Sequence, residues 1–213
     1  MTALGFIGLV ILGYLIGSIP FGVIVGRWAR GIDVRDYGSG SMGMTNVLRT
    51  VGARAGVLVF LADLAKGAAA VSLAWPIFNS NPEMVIWGHM AGGAAAVIGH
   101  SWPVFIGFRG GRGITTGFGA LLTMCWPVGL ITFAAFLTVI GLSRYVSLGS
   151  MLAALAMLVT MIIFVVFDLL GAEFAYIVFS LIVVPVIIFR HRGNIRRLLS
   201  GVEPKIGASR ANR

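Results

Sequence analysis

The sequence predicts an all-α integral membrane protein, and three observations carry that class. Apolar residues make up 58% of the 213 and charged residues only 11%, whereas soluble chains carry about 25% charge. Mean hydropathy is +0.98, so the chain lacks the polar side chains that a water-facing surface needs. The 16 Lys and Arg against 7 Asp and Glu are also not scattered, but fall on alternate connections between apolar stretches.

A hydrocarbon core about 30 Å thick takes roughly 20 apolar residues per helix. Apolar stretches run near 4–26, 53–76, 84–106, 113–126, 128–143, 147–167 and 174–190. The first lacks the charged n-region of a signal peptide and exceeds an h-region in length, so it is expected to persist as a helix. The fourth and fifth are short, with only Trp126 and Pro127 between them, and could read as one kinked helix. Charge placement separates them. With seven spans, residues 27–54, 108–112, 144–146 and everything from Arg190 on share one side, which then holds 15 of the 16 basic residues. The other side has Glu83, Asp168 and Glu173 and no Lys or Arg. Six spans would strand Arg144 or the whole basic C-terminus on the wrong face. Since basic loops stay in the cytoplasm, the expectation is seven transmembrane helices, N-terminus out and C-terminus cytoplasmic, with short cytosolic motif loops. A single membrane domain covers 1–198, and 199–213 forms a basic cytoplasmic tail.

In a soluble chain the net charge of +9 would suggest nucleic acid; here topology accounts for most of it, and no nucleic-acid partner is expected. The lone Cys125 excludes an intrachain disulfide and a multi-cysteine metal site. No metal or cofactor is expected. Lys66, the sixteenth basic residue, follows Asp63 by three positions inside the second span. The two share a helix face and can neutralise each other, which reads as architecture more than function.

Three segments on the basic side carry the chemistry. The first, Gly38 to Arg49, spaces Gly38, Gly40 and Gly43 among Ser39, Ser41, Thr45, Asn46 and Arg49. Backbone N–H groups, hydroxyls, an amide and a guanidinium together suit a phosphate, although a Gly/Ser loop also serves as a plain connector. The second runs from Gly99 and His100 to Arg109-Gly110-Gly111-Arg112-Gly113, just before the fourth span, where free amides, the helix dipole and Arg112 converge. It lacks the G-x-x-x-x-G-K-[ST] spacing of nucleotide-hydrolysing loops. The third, His191-Arg192-Gly193-Asn194-Ile195-Arg196-Arg197, leaves the last span with His191 and Asn194 at i, i+3, able to grip one ligand if the helix continues.

Together these segments resemble the bacterial acyl-phosphate-dependent glycerol-3-phosphate acyltransferases, the PlsY family. Ser39, Gly40, Gly43, Thr45, Asn46 and Arg49 match the family's first motif. Gly99, His100, Pro103, Phe105, Phe108 and Gly110 to Gly113 follow the second, and His191, Asn194, Ile195, Arg197 and Leu198 the closing one. Asp63-Leu64-Ala65-Lys66-Gly67 and Tyr145-Val146-Ser147-Leu148 are smaller echoes. Four positions depart: Ser41 stands for Asn, Met44 for Ala, Arg112 for Lys, and Gly193 for an acidic residue.

The resemblance implies transfer of a fatty acyl group from acyl phosphate to the sn-1 hydroxyl of glycerol 3-phosphate, the first step of phospholipid synthesis, at the cytoplasmic face of the bacterial inner membrane. Ser39, Arg49 and His191 are the expected catalytic residues. Ser39, Arg112, His191 and Asn194 are assigned to the acceptor phosphate, and Arg49 with the amides around Gly110, Gly111 and Gly113 to the long-chain acyl phosphate. Thr45 and Asn46 assist. The hydroxyl proton goes either to His191 or to a substrate phosphate oxygen. Besides these substrates the partners are membrane lipid, and a monomer is expected. No Ser/His/Asp or Cys/His arrangement argues for an acyl-enzyme, and the H-x-x-x-x-D motif of other acyltransferases is missing. The competing reading is a multi-span transporter or channel for phosphorylated solutes, but the polar motifs crowd one face instead of mid-membrane.

Overall fold

In a computed structural model, residues 2–207 are described, and they form helices and connections with no strand. The tail's Arg210 and Arg213 lie outside the described residues. The helices are α1 (Thr2–Ser18), α2 (Phe21–Arg30), α3 (Met44–Thr50), α4 (Ala53–Ser72), α5 (Ala74–Phe78), α6 (Pro82–Ser101), α7 (Ile114–Met124), α8 (Trp126–Ser143), α9 (Val146–Val166), α10 (Phe174–Arg190) and α11 (Arg192–Leu199). Four segments are long and apolar enough to cross a membrane: Ala3–Arg30, Ala53–Phe78, Trp126–Ser143 and Val146–Val166. The bent pair α10 and α11 makes a fifth.

Local chemistry explains where the elements break. Pro20 interrupts the first apolar stretch because it has no N–H to donate, and it separates α1 from α2. The third stretch, expected to reach residue 106, stops at Ser101. Trp102 precedes Pro103 and is held out of the helical region at φ −134° and ψ 71°, as a pre-proline residue is. Asn81 starts that helix by accepting the Met84 amide at 3.2 Å, a side-chain N-cap. The fourth and fifth stretches are two helices. Cys125 breaks the chain, Pro127 sits in the first turn of α8, where proline is tolerated, and α8 folds back with Phe133 stacked on Phe118 at 5.3 Å.

Helix direction alternates along the bundle. α1 and α6 run the same way, with Gly13 against Gly92 and Gly17 against Ala96. α4 opposes α6, since Gly92 meets Ala70 and Gly88 meets Ala74. α7 opposes α6 in turn, with Gly117 on Val97 and Gly113 near Ser101. α10 runs with α6: Trp87 pairs with Phe174, His89 with Tyr176, and Trp102 with Phe189. Many of these crossings place a glycine on a neighbour's backbone, which suits helix association in lipid.

The main core gathers Val71, Val97, Leu121, Met157, Met161, Phe179 and Ile187 from α4, α6, α7, α9 and α10. A second cluster, Val23, Val34, Met42, Val47 and Val59, lies under the first motif loop. These two cores bring the end of α2, the α6–α7 connection, the α8–α9 turn and the end of α10 to one end of the bundle.

Candidate active site

The first motif loop is organised from inside by Asn46. Its side chain is 2% exposed. Oδ1 accepts the Ser39 amide at 2.9 Å, and the two N–H groups of Nδ2 are shared among the carbonyls of Val34, Ser41 and Tyr37 at 2.7, 2.8 and 3.1 Å. Asn46 therefore shapes the loop, and its polar atoms are occupied. Ser39 is exposed, as is Arg49 on α3, while Thr45 is half-buried with its hydroxyl 3.8 Å from the Met44 sulfur. Ser41, the departure from Asn, accepts the Gly43 amide at 3.3 Å and so supplies a local turn bond of its own. Below the loop Asp33 binds Arg35 through Nε at 2.9 Å and Nη2 at 2.7 Å, and Arg35 reaches the Ile106 carbonyl at 3.0 Å. Those bonds hold the Asp33 carboxyl down at about 2 and tie the first loop to the second.

In the second loop Gly113 adopts φ +80° at the N-terminus of α7, a left-handed conformation that disfavours a side chain. A Cβ there would also meet Val97 at 2.8 Å. Arg190 at the end of α10 donates from Nε to the Gly111 carbonyl at 2.9 Å and from Nη2 to the Gly110 carbonyl at 2.8 Å. The Gly111 amide itself is taken by the His100 carbonyl at 3.0 Å. Among the described residues the amides of Gly110, Arg112 and Gly113 have no acceptor, so they are the free donors of the loop. Between Gly40 and Gly110 opens a cavity of about 390 Å3, walled by Arg35, Arg109, Arg190 and Phe108.

The closing segment bends by 55° at His191. Helical register continues through the bend, because the His191 carbonyl accepts the Ile195 amide at 2.9 Å, and both His191 and Asn194 are buried. His191 Nδ1 lies 2.8 Å from the Ile187 carbonyl. Only an Nδ1–H can make that bond, which leaves the Nε2 lone pair of the neutral ring free. Burial pushes the imidazole down to about 4, with the Arg112 and Arg190 charges adding to it. Arg112 is lowered to about 10 by burial and by Arg197, Arg49 and Arg190, against the opposing pull of Glu203.

Glu203 and Arg190 are the residues that sequence reasoning missed. Glu203 lies in the tail, where the expectation was of basic character alone. Its Oε1 accepts from Ser147 Oγ at 2.5 Å and Asn194 Nδ2 at 2.6 Å, and its Oε2 accepts from Arg197 Nε at 2.7 Å. Burial would raise its pKa, but these three bonds hold it below the ordinary carboxylate value. A side chain at Gly193 would point at Arg197, with its Cβ 3.7 Å from Nη1. Position 193 thus lies beside Arg197, whose carboxylate partner in this chain is Glu203. One signal was available, since Glu203 is the lone acid after Glu173. Arg190 had been counted only as a topological charge.

The helices define a multi-pass integral membrane protein, with a cationic cradle at one end of its bundle. The sequence profile of the glycerol-3-phosphate acyltransferases matches residues 7–201, and the chain belongs to that family. A glycerol-3-phosphate acyltransferase of Parasynechococcus marenigrum is 47% identical over 199 residues, covering 93% of this chain and 89% of its own. The crystal structure of PlsY, an integral membrane glycerol 3-phosphate acyltransferase, superposes in its glycerol 3-phosphate form with a TM-score of 0.84 at 36% identity, covering 95% of this chain and 96% of that one. The lysophosphatidic acid form gives 0.82 at the same identity. The resemblance read from the three motifs is borne out.

Proposed function

We propose that this protein transfers a fatty acyl group from acyl phosphate to the sn-1 hydroxyl of glycerol 3-phosphate, yielding 1-acyl-glycerol 3-phosphate and inorganic phosphate. The observation that carries the reading is the glycine segment 110–113, whose free amides lie among cationic groups. Arg112 is near enough to Arg49, Arg190 and Arg197 to feel their charges, beside the neutral His191, and Arg35, Arg109 and Arg190 wall the cavity at Gly110. Two phosphate-bearing substrates need such surroundings. Ser39, Arg112, His191 and Asn194 serve the acceptor phosphate. Arg49 with the free amides of Gly110 and Gly113 serves the donor, and Thr45 and Asn46 hold the first loop in shape, as Gly111 does the second.

The donor is already activated, so the protein's task is to hold the hydroxyl against the carbonyl carbon and stabilise the oxyanion. The hydroxyl oxygen bonds to that carbon, the acyl C–O bond to phosphate breaks, and inorganic phosphate leaves. The hydroxyl proton passes to a substrate phosphate oxygen. Burial holds His191 in its neutral form, and with Nδ1–H bound to the Ile187 carbonyl it acts as a neutral binding group. His191→Gln is expected to raise the acceptor KM about tenfold or more while kcat stays within about threefold; a thousandfold loss of kcat would instead make His191 the base.

The same reading places seven crossings in the bacterial inner membrane, with N-terminus out and the site facing the cytoplasm, in one domain over 1–198 with the tail 199–213 behind it. The 18-residue length of α8 and the packing of α7 into the main core support seven, and the basic connections at one end support the orientation. The proposed unit is a monomer, within which the three motif segments already meet. Purified protein given glycerol 3-phosphate with either palmitoyl phosphate or palmitoyl-CoA decides the function. Product from the acyl phosphate alone is expected, and none from either donor refutes the reading.

A further inference from the structure

Asp63, Lys66 and His100 are buried to 3% exposure or less, and they form a chain that ends on the glycine strand. Lys66 Nζ lies 2.8 Å from Asp63 Oδ1 and donates to the Ile19 carbonyl at 2.9 Å, beside the Pro20 break. On its other side Asp63 Oδ1 lies 3.5 Å from His100 Nδ1, a charge contact in which both atoms are buried without a hydrogen-bond partner. The opposite ring nitrogen, Nε2, is set directly against Gly111, where an added Cβ would collide with it. The His100 carbonyl meanwhile holds the Gly111 amide at 3.0 Å. Gly111 is thus fixed by both the ring and the main chain of one residue.

Charge neutralisation alone does not require this arrangement. Asp63 and Lys66 would neutralise each other without His100, and a buried ion pair adds little stability over an apolar equivalent. A carboxylate beside Nδ1 does something different: its charge at 3.5 Å favours the ring orientation that turns Nδ1 toward it. A ring packed under a glycine with no room for a methyl group transmits that orientation to the strand.

We propose that Asp63 and His100 are positioning residues for acyl transfer. Asp63, neutralised by Lys66, orients the His100 ring, and the ring seats Gly111 so that the free amides of Gly110, Arg112 and Gly113 face the donor phosphate. The donor's place on this strand rests on the reading under Proposed function.

Steady-state kinetics with palmitoyl phosphate and glycerol 3-phosphate tests the proposal. Because a displacement of about 1 Å can cost up to a hundredfold, Asp63→Asn is expected to raise the donor KM about tenfold or more, with kcat and the acceptor KM within about threefold. Asn leaves Lys66 unpaired, so Asp63→Asn combined with Lys66→Met removes both charges. An architectural pair predicts that this double variant regains both the melting temperature and the donor KM. Positioning predicts that the melting temperature returns and the donor KM stays raised. His100→Gln, which keeps the ion pair, should show the same donor KM defect, and adding Asp63→Asn to it should worsen that defect little. Parental KM values for both substrates in the double variant or in His100→Gln overturn the proposal. A rise in the acceptor KM alone would instead move glycerol 3-phosphate onto the strand, refuting the donor assignment while the positioning role stands.

Discussion

Glu203 shows how much one side chain does here. It accepts from Ser147, Asn194 and Arg197 at once and joins the α8–α9 turn, α11 and the tail. Glu203→Gln removes the charge and replaces one of the two acceptor oxygens with an NH2 group, which cannot accept. The expected loss is about 2 kcal/mol, typical of a hydrogen bond to a charged group, read as a lower melting temperature in detergent. An unchanged melting temperature would show that the tail is not held by this contact. His191 gives a pH dependence of definite sign. Its pKa falls from 6.5 in the unfolded chain to about 4 in the folded one, so between those values the unfolded state binds more protons. Stability therefore drops as pH falls from about 6.5 to about 4, by at most roughly 3 kcal/mol from this group. Melting temperatures measured across that window should fall for the parent and fall less for His191→Gln.

At the scale of elements, close helix approach depends on particular glycines. A Cβ at Gly67 would strike the Thr116 backbone of α7, and one at Gly17 the Ala96 backbone of α6, whereas Gly8 and Gly141 have nothing within 4 Å. Gly67→Ala and Gly17→Ala should each cost about 1–3 kcal/mol by overpacking. Gly141→Ala should be neutral or slightly stabilising, since alanine favours a helix by up to about 1 kcal/mol over glycine. Parallel thermal melts of the purified variants would separate the two classes, and equal melts would refute the close-packing account. The same contrast bounds what the sequence could tell. Apolar run length located α9 and α10 to within a residue, because a helix in lipid is a local property. The motifs located Arg112, His191 and Asn194 as buried or half-buried neighbours of one site. What stayed hidden needed folding back: Glu203 reaches Asn194 across 9 positions and Arg190 reaches Gly110 across 80, and neither pairing leaves a periodic trace. Asn46 was read as a ligand-facing amide because its type suits one, yet its burial makes it the scaffold of its loop.

The whole molecule poses one question that length alone answers poorly. α7 has 11 residues, about 16 Å at 1.5 Å per residue, roughly half of a hydrocarbon core. α7 and α8 together could therefore be two crossings or a hairpin that enters and leaves by the cytoplasmic face, and both options leave the parity of every other helix intact. Positive-inside bias cannot separate them, because the turn at Cys125 carries no charge. Helix length and the core favour crossings: α8 is a full 18 residues, and Leu121, Met124 and Val128 pack into the main core beside Phe179. A short α7 then implies a local depression at the outer face, or thinning of the lipid around it. Single cysteines placed in a Cys125→Ala background resolve the point with an impermeant maleimide on intact cells. Ser80→Cys should be labelled from outside and Ser200→Cys only after permeabilisation. Trp126→Cys is the deciding position, since Trp126 is exposed in the structure. Labelling from outside is the seven-crossing outcome. If Ser80→Cys reacts while Trp126→Cys stays dark, the α7–α8 pair is a re-entrant hairpin and the crossings number five.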